Sequence, residues 1–268
     1  MLRVGTSGFS FPDWKGPVYP AAIPPRNMLA YYAAELGFDT VEINSTYYRI
    51  PQPKNMEAMA KKTPENFEFV VKGFRGMTHD PFDNRLGTRP GREQVEGYFS
   101  KFAEALEPLK EAGKLGAVLL QYPVFFLPSP ENEEYILKSS RMLGNMPVVI
   151  EFRNIAWAKP ETFRFLKDNN LNYCAVDEPK LPRLMPFVNE VTSGTGYLRF
   201  HGRNTNWFSA PASVRYDYLY SDTELEEFVP EIKKMEMNAG KTYMFFNNCH
   251  SGKAVRNALT MKGRLGLR

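Results

Sequence analysis

Short runs of apolar, β-favouring residues recur along the chain. Each is followed by a longer stretch in which apolar residues return every three or four positions. The first pattern reads as buried strand and the second as amphipathic helix. The runs predict strands at Leu2–Gly5, Thr40–Ile43, Glu68–Lys72, Gly116–Gln121, Val148–Phe152, Asn172–Val176, Tyr197–His201 and Thr242–Phe246. The helical period predicts helices near 26–37, 54–63, 91–112, 131–144, 159–169, 222–239 and 251–261, with 179–193 a short helix or a loop. Strict alternation predicts a parallel sheet, because a parallel connection needs a crossover. Eight such units in 268 residues fit one α/β domain over 1–268, a single (β/α)8 TIM-like barrel. A doubly wound open sheet is the runner-up.

Three connections stand out, the last two for running longer than such loops usually do. They are Ser7–Pro25, with Phe9, Phe11, Trp14 and Tyr19; His79–Arg92, rich in Gly, Pro and Arg; and Arg203–Ser221, with Trp207, Phe208, Tyr216, Tyr218 and Tyr220. All follow strands, so in a barrel they belong to the face that carries active sites.

Composition narrows the class. The chain is 43% hydrophobic, 24% charged and 14% aromatic with a net charge of +4, which excludes intrinsic disorder. No apolar run approaches the ~18 residues of a membrane span, and the first residues lack a signal peptide's apolar core. The expectation is a cytoplasmic protein without a membrane partner. Two cysteines, Cys174 and Cys249, are too few for a disulfide framework or a zinc ribbon and read as reduced packing residues.

Strand alternation then brings out the chemistry. Polar residues end seven successive strands: Glu42 and Asn44, Lys72, Gln121, Glu151 and Arg153, Asp177, Arg199 and His201, then Asn247. Buried charge is costly unless paired or solvated, so such a ring implies either a ligand site or a plug of salt bridges. The site reading makes Glu42, Glu151, Asp177 and His201 the catalytic candidates. Ser7, Trp14, Asn44, Lys72, Gln121, Arg153, Arg199, Tyr218 and Asn247 are the ligand-binding candidates.

Three chemistries compete. Glu151, Asp177 and His201, with Asn247 as a weak fourth ligand, resemble the Glu, Asp, His and Glu set of sugar isomerase and epimerase barrels, so a divalent metal is the one cofactor worth testing. Arg153 and Arg199 oppose a cation there. Metal-free acid–base work by Glu42 and Glu151, as in glycoside hydrolysis, needs carboxyl groups ~5–9.5 Å apart. Lys72 as a Schiff-base amine is disfavoured, because nearby acids raise a lysine pKa. The third chemistry holds an anion on Lys72, Arg153, Arg199 and Arg203 and orients sugar-like hydroxyls with Gln121, Asn44 and Asn247. It needs no metal and suits the charge pattern best.

The motifs also resemble a known family. Gly5-Thr6-Ser7-Gly8-Phe9, Trp14-Lys15-Gly16, Val41-Glu42-Ile43-Asn44-Ser45-Thr46, Val71-Lys72, Leu120-Gln121-Tyr122-Pro123, Glu151-Phe152-Arg153, Leu198-Arg199-Phe200-His201-Gly202 and Phe246-Asn247-Asn248 are similar, in order, to the YecE-like family of unknown function. The resemblance implies a single TIM-like barrel and no particular reaction. The leading expectation is an enzyme, a hydrolase or isomerase, acting on a small polar anionic or sugar-like molecule at the C-terminal mouth. Alternatives are a nucleic-acid-binding, nuclease-like barrel using Arg75, Arg85, Arg89 and Arg92, and a metabolite sensor without turnover.

Overall fold

A computed structural model describes residues 1–206 and 215–267. Eight strands form one parallel sheet in the order β1-β8-β7-β6-β5-β4-β3-β2. They are β1 (Leu2–Thr6), β2 (Thr40–Ile43), β3 (Glu68–Lys72), β4 (Leu115–Gln121), β5 (Val148–Glu151), β6 (Asn172–Asp177), β7 (Thr195–Phe200) and β8 (Lys241–Phe246). A parallel bridge between Ser7 and Glu42 joins the two ends of that order and closes the barrel. The chain is therefore a (β/α)8 TIM-like barrel. The open-sheet alternative falls with that bridge.

Gly5 explains how tightly the closing seam fits. A Cβ there would stand 2.4 Å from the Thr40 carbonyl oxygen, so no other residue lets β1 lie this close to β2.

The outer helices are α1 (Met28–Ala34), α2 (Pro53–Lys61), α3 (Arg75–Thr78), α4 (Arg92–Glu111), α5 (Pro130–Met142), α6 (Pro160–Asp168), α7 (Asp222–Asn238) and α8 (Lys253–Arg264). Local signals set several starts. Pro occupies the first turn of α2, α5 and α6, where its missing N–H costs nothing. Ser221 and Glu224 form a reciprocal capping box on α7. The ambiguous 179–193 stretch is a loop. Pro179, Pro182 and Pro186 interrupt it, and each removes a backbone donor that a helix needs.

The strands' outer faces pack on the helices through Phe69, Val71, Leu120, Ile150 and Leu198, all buried. Cys174 and Cys249 are free and buried. No helix among the described residues is long and apolar enough to cross a membrane.

Candidate functional site

The barrel interior at its C-terminal end is floored by ion pairs. Arg199, on β7, donates from Nη2 to Glu42 Oε1 and from Nη1 to Glu151 Oε2, both at 2.6 Å. Tyr197, one interior step below, donates its hydroxyl to Glu42 Oε2 at 2.6 Å. Arg153, just past β5, donates to Glu151 Oε1 at 2.9 Å and pairs with Glu178 at 2.8 Å. Charges therefore alternate across the mouth: Glu42, Arg199, Glu151, Arg153, Glu178. The Glu42, Glu151 and Arg199 side chains are at most 1% exposed.

Each pKa follows from this arrangement. Burial alone would raise the Glu151 carboxyl. The nearby Arg199, His201 and Arg153 outweigh it and hold Glu151 well below the usual carboxylate range. Burial also opposes the Arg199 charge, but Glu151 and Glu42 push its pKa well above the ordinary arginine value. Glu178 goes the other way. Burial lifts it to about 7 even though Arg153 lies beside it. His201 Nε2 sits 2.7 Å from Arg153 Nη1 and 3.1 Å from Glu151 Oε1. Burial, then Arg153 and Arg199, pushes this imidazole well below its ordinary pKa, so it is neutral at pH 7.

Above this floor lies a rim of partly exposed polar groups: Asn44, Tyr47, Lys72, His79, Gln121 and Asn247. Lys72 Nζ donates to Gln121 Oε1 at 2.6 Å and lies 4.6 Å from the centre of the Tyr47 ring. Burial, then the charge of Arg199, lowers its pKa to about 7. His79 approaches Gln121 Nε2 at 3.4 Å, and burial, then Lys72, keeps its pKa near about 3. Asn247 faces His201 Nδ1 at 3.0 Å and accepts from Asn44 Nδ2 at 3.3 Å. The rim thus offers amides, a phenol ring, an imidazole and one amine.

Most sequence-selected residues meet here, and three serve elsewhere. Trp14 is fully buried and donates from Nε1 to the Cys249 carbonyl at 2.6 Å, which ties the first loop to the end of β8. Tyr218 donates to Glu224, while its carbonyl accepts from Asn248. Asp177 faces outward. It pairs with Phe200 in the β6–β7 register, and Phe200 packs against Phe228 of α7. Arg203 binds Asp177 at 3.0 Å and Tyr220 donates to it at 2.6 Å. Ser7 lies on the closing bridge, with its buried Oγ lacking a hydrogen-bond partner among the described residues.

Asp177 therefore does not converge with Glu151 and His201. No group of three His, Cys, Asp or Glu side chains suited to a metal ion occurs among the described residues. The residue that enters the mouth from β6 is Glu178, which sequence reasoning missed. Alternation alone pointed to it: Val176 pairs with the inward Arg199, so Glu178 shares that face. The acid pair also has a particular geometry. The Arg199 guanidinium lies between Glu42 and Glu151, in the space a glycosidic oxygen would need.

The arginine-rich loop after β3 is largely neutralised: Arg75 pairs with Asp80, Arg85 with Asp83 and Arg92 with Glu96. Trp207 and Phe208, two aromatics of the long connection after β7, lie outside the described residues.

Comparison with known proteins follows the same pattern. The family model described as "Protein of unknown function DUF72" matches residues 3–268. The UPF0759 protein YunF of Bacillus subtilis (strain 168) is 31% identical over 278 residues, covering 97% of this chain and 93% of its own. A DUF72 family protein of Thermotoga maritima, solved as a crystal structure, superposes with a TM-score of 0.89 at 41% identity, covering 99% of both chains. One from Enterococcus faecalis V583 gives 0.85 at 31% identity, covering 100% of this chain and 96% of that one. With eight paired parallel strands and this end-to-end match, the chain belongs to the DUF72 family of TIM-like barrels.

Proposed function

We propose that the barrel mouth binds a small anionic or sugar-like metabolite and that the protein is an enzyme acting on it. One observation carries the reading: an amine stands at the rim with a neutral amide as its hydrogen-bond partner, above a floor whose carboxylates are already paired with arginine. An anion beside Lys72 would supply the missing countercharge. Gln121, Asn44 and Asn247 would direct their amides to hydroxyls, and the Tyr47 ring would form an apolar wall. The buried ion pairs would hold these groups in place before the ligand arrives, which lowers the cost of binding.

Proton transfer falls to the groups that titrate near neutrality. Lys72 and Glu178 both sit at about 7, where an acid–base catalyst is most effective. Glu151, held ionised by its arginines, would act as an electrostatic partner and not as a proton donor. Glu42, locked by Arg199 and Tyr197, would position Arg199. The reaction fitting these groups is a metal-free proton transfer of the isomerase or hydrolase kind.

The test is linkage. An anion beside Lys72 raises its pKa, so binding at pH 8 draws in a proton. Titration calorimetry with inorganic phosphate and ribose 5-phosphate, in two buffers of different ionisation enthalpy, should report uptake of up to about one proton that disappears in Lys72→Met. Saturable binding without proton uptake would show that the anion sits elsewhere, and no binding of either probe would reject the reading. Binding without turnover of any sugar phosphate would identify a sensor.

A further inference from the structure

We infer that Lys72 is a nucleophile that forms an imine with a small anionic aldehyde or ketone held at the mouth. The inference rests on the ligand reading above and names its substrate class.

Five other lysines pair with a carboxylate: Lys61, Lys110, Lys138, Lys241 and Lys253. Lys72 lies close enough to Glu151 and Glu42 to feel both charges, yet among the described residues no carboxylate oxygen comes within 4.0 Å of its Nζ. The reason lies in the ion-pair floor. Glu42 is taken by Arg199 and Tyr197, and Glu151 by Arg199, Arg153 and His201. Among the described residues, the charged and titratable groups around the amine include Glu42 from β2, Glu151 and Arg153 from the end of β5, Arg199 from β7, and Tyr47 and His79 from the rim. The acids that were expected to raise the lysine pKa are cancelled by arginines. Burial and Arg199 then leave the amine half deprotonated near pH 7. It stays partly exposed, so a ligand can reach it.

The chemistry balances without a cofactor. The amine lone pair attacks the carbonyl carbon, and a C–N bond forms as the carbonyl π pair moves to oxygen. Both amine hydrogens leave with that oxygen as water, which gives the C=N bond. No electron acceptor or donor is needed. The ligand's anionic group would balance the cationic protonated imine.

The experiment uses the full chain with glycolaldehyde phosphate and sodium cyanoborohydride at pH 7, followed by digestion and peptide mapping. Hydride addition to the imine carbon fixes the adduct as a secondary amine. About half of Lys72 is uncharged at that pH, against about one in 2,500 for an ordinary lysine, so its labelling should exceed every other lysine's at least tenfold. Its labelling rate should rise with pH and level off above about 7. Lys72→Arg, checked for native circular dichroism, should lose the adduct. Phosphoglycolate, which has no aldehyde, should protect Lys72 in the wild type. Uniform labelling of surface lysines with phosphoglycolate still bound would overturn the imine and leave the anion site standing. Failure of phosphoglycolate and glycolaldehyde phosphate to bind would overturn both.

Discussion

Replacing Arg199 with Met tests the ionic floor directly. Met fills a similar volume with a flexible apolar chain, so packing changes little. The guanidinium, however, is a hydrogen-bond donor to two fully buried carboxylates, at 2.6 Å to each. Removing one partner of a buried pair costs about 3–5 kcal/mol, because the remaining charge is stranded. With a urea slope of about 3 kcal/mol per molar, the unfolding midpoint should fall by roughly 1–1.7 M at pH 7.

The pH profile should also flatten. In the wild type, Glu151 has a folded pKa below its unfolded value. It stabilises the fold above the unfolded pKa of ~4.3, and that stability is lost as pH falls through the folded value. Without Arg199, Glu151 keeps Arg153 at 2.9 Å but loses the largest of the charges that lower it, so its folded pKa moves up toward the unfolded one. The stability gained as pH rises toward ~4.3 is then smaller than in the wild type, by about 1.4 kcal/mol for each pH unit of depression lost. Urea titrations at pH 4, 5.5, 7 and 8, followed by circular dichroism, read both effects. Adding Glu42→Gln should recover part of the lost midpoint by removing one of the stranded charges. An Arg199→Met protein with the wild-type midpoint and an unchanged pH profile would refute the reasoning, because it would mean that the carboxyls are neutral in the native state.

Two further substitutions separate roles within the site. Glu178 has a folded pKa of about 7, above its unfolded value, so its contribution is favourable below ~4.3 and lost as pH rises to about 7. Glu178→Gln should therefore gain on the wild type by up to about 4 kcal/mol between pH 4 and 8 in urea titrations, and a pH-independent difference would contradict the assignment. Asp177→Asn weakens the pairing with Arg203 and should cost about 1–3 kcal/mol of stability while leaving phosphate binding at the mouth unchanged. Loss of phosphate binding by a stable Asp177→Asn protein would place that carboxylate in the mouth after all.

Most of the fold was legible because a strand buried on both faces must read as an apolar run. Thr40–Ile43 and Glu68–Lys72 begin and end where the pattern predicts. Helix ends shifted by a few residues, as with Met28–Ala34 inside the predicted 26–37, since periodicity locates a face better than a terminus. The short helix Arg75–Thr78 was hidden because four residues carry no period.

The site was legible by a different rule, and its errors share one cause. A strand's side chains alternate strictly, so the face of a polar residue depends on counting from a neighbour known to point inward. For Glu42, Glu151 and Arg199 that count was made within each strand, and all three meet around one guanidinium. For β6 the last polar letter of the run was taken instead. Asp177 and Glu178 are adjacent carboxylates of the same chemistry, yet one is tied to Arg203 on the outer face and the other to Arg153 inside the mouth. Lys72 shows the complementary limit. Its position was right, but its ionisation depended on whether Glu42 and Glu151 faced it as charges or were already neutralised, and that is a property of pairing across strands 2, 5 and 7. Sequence alone lists charges and cannot assign their partners. Once Arg199 is seen to take both carboxylates, the same acids that argued against an uncharged lysine are outweighed by burial and by Arg199, and the least favoured chemistry in the sequence becomes the one the geometry supports.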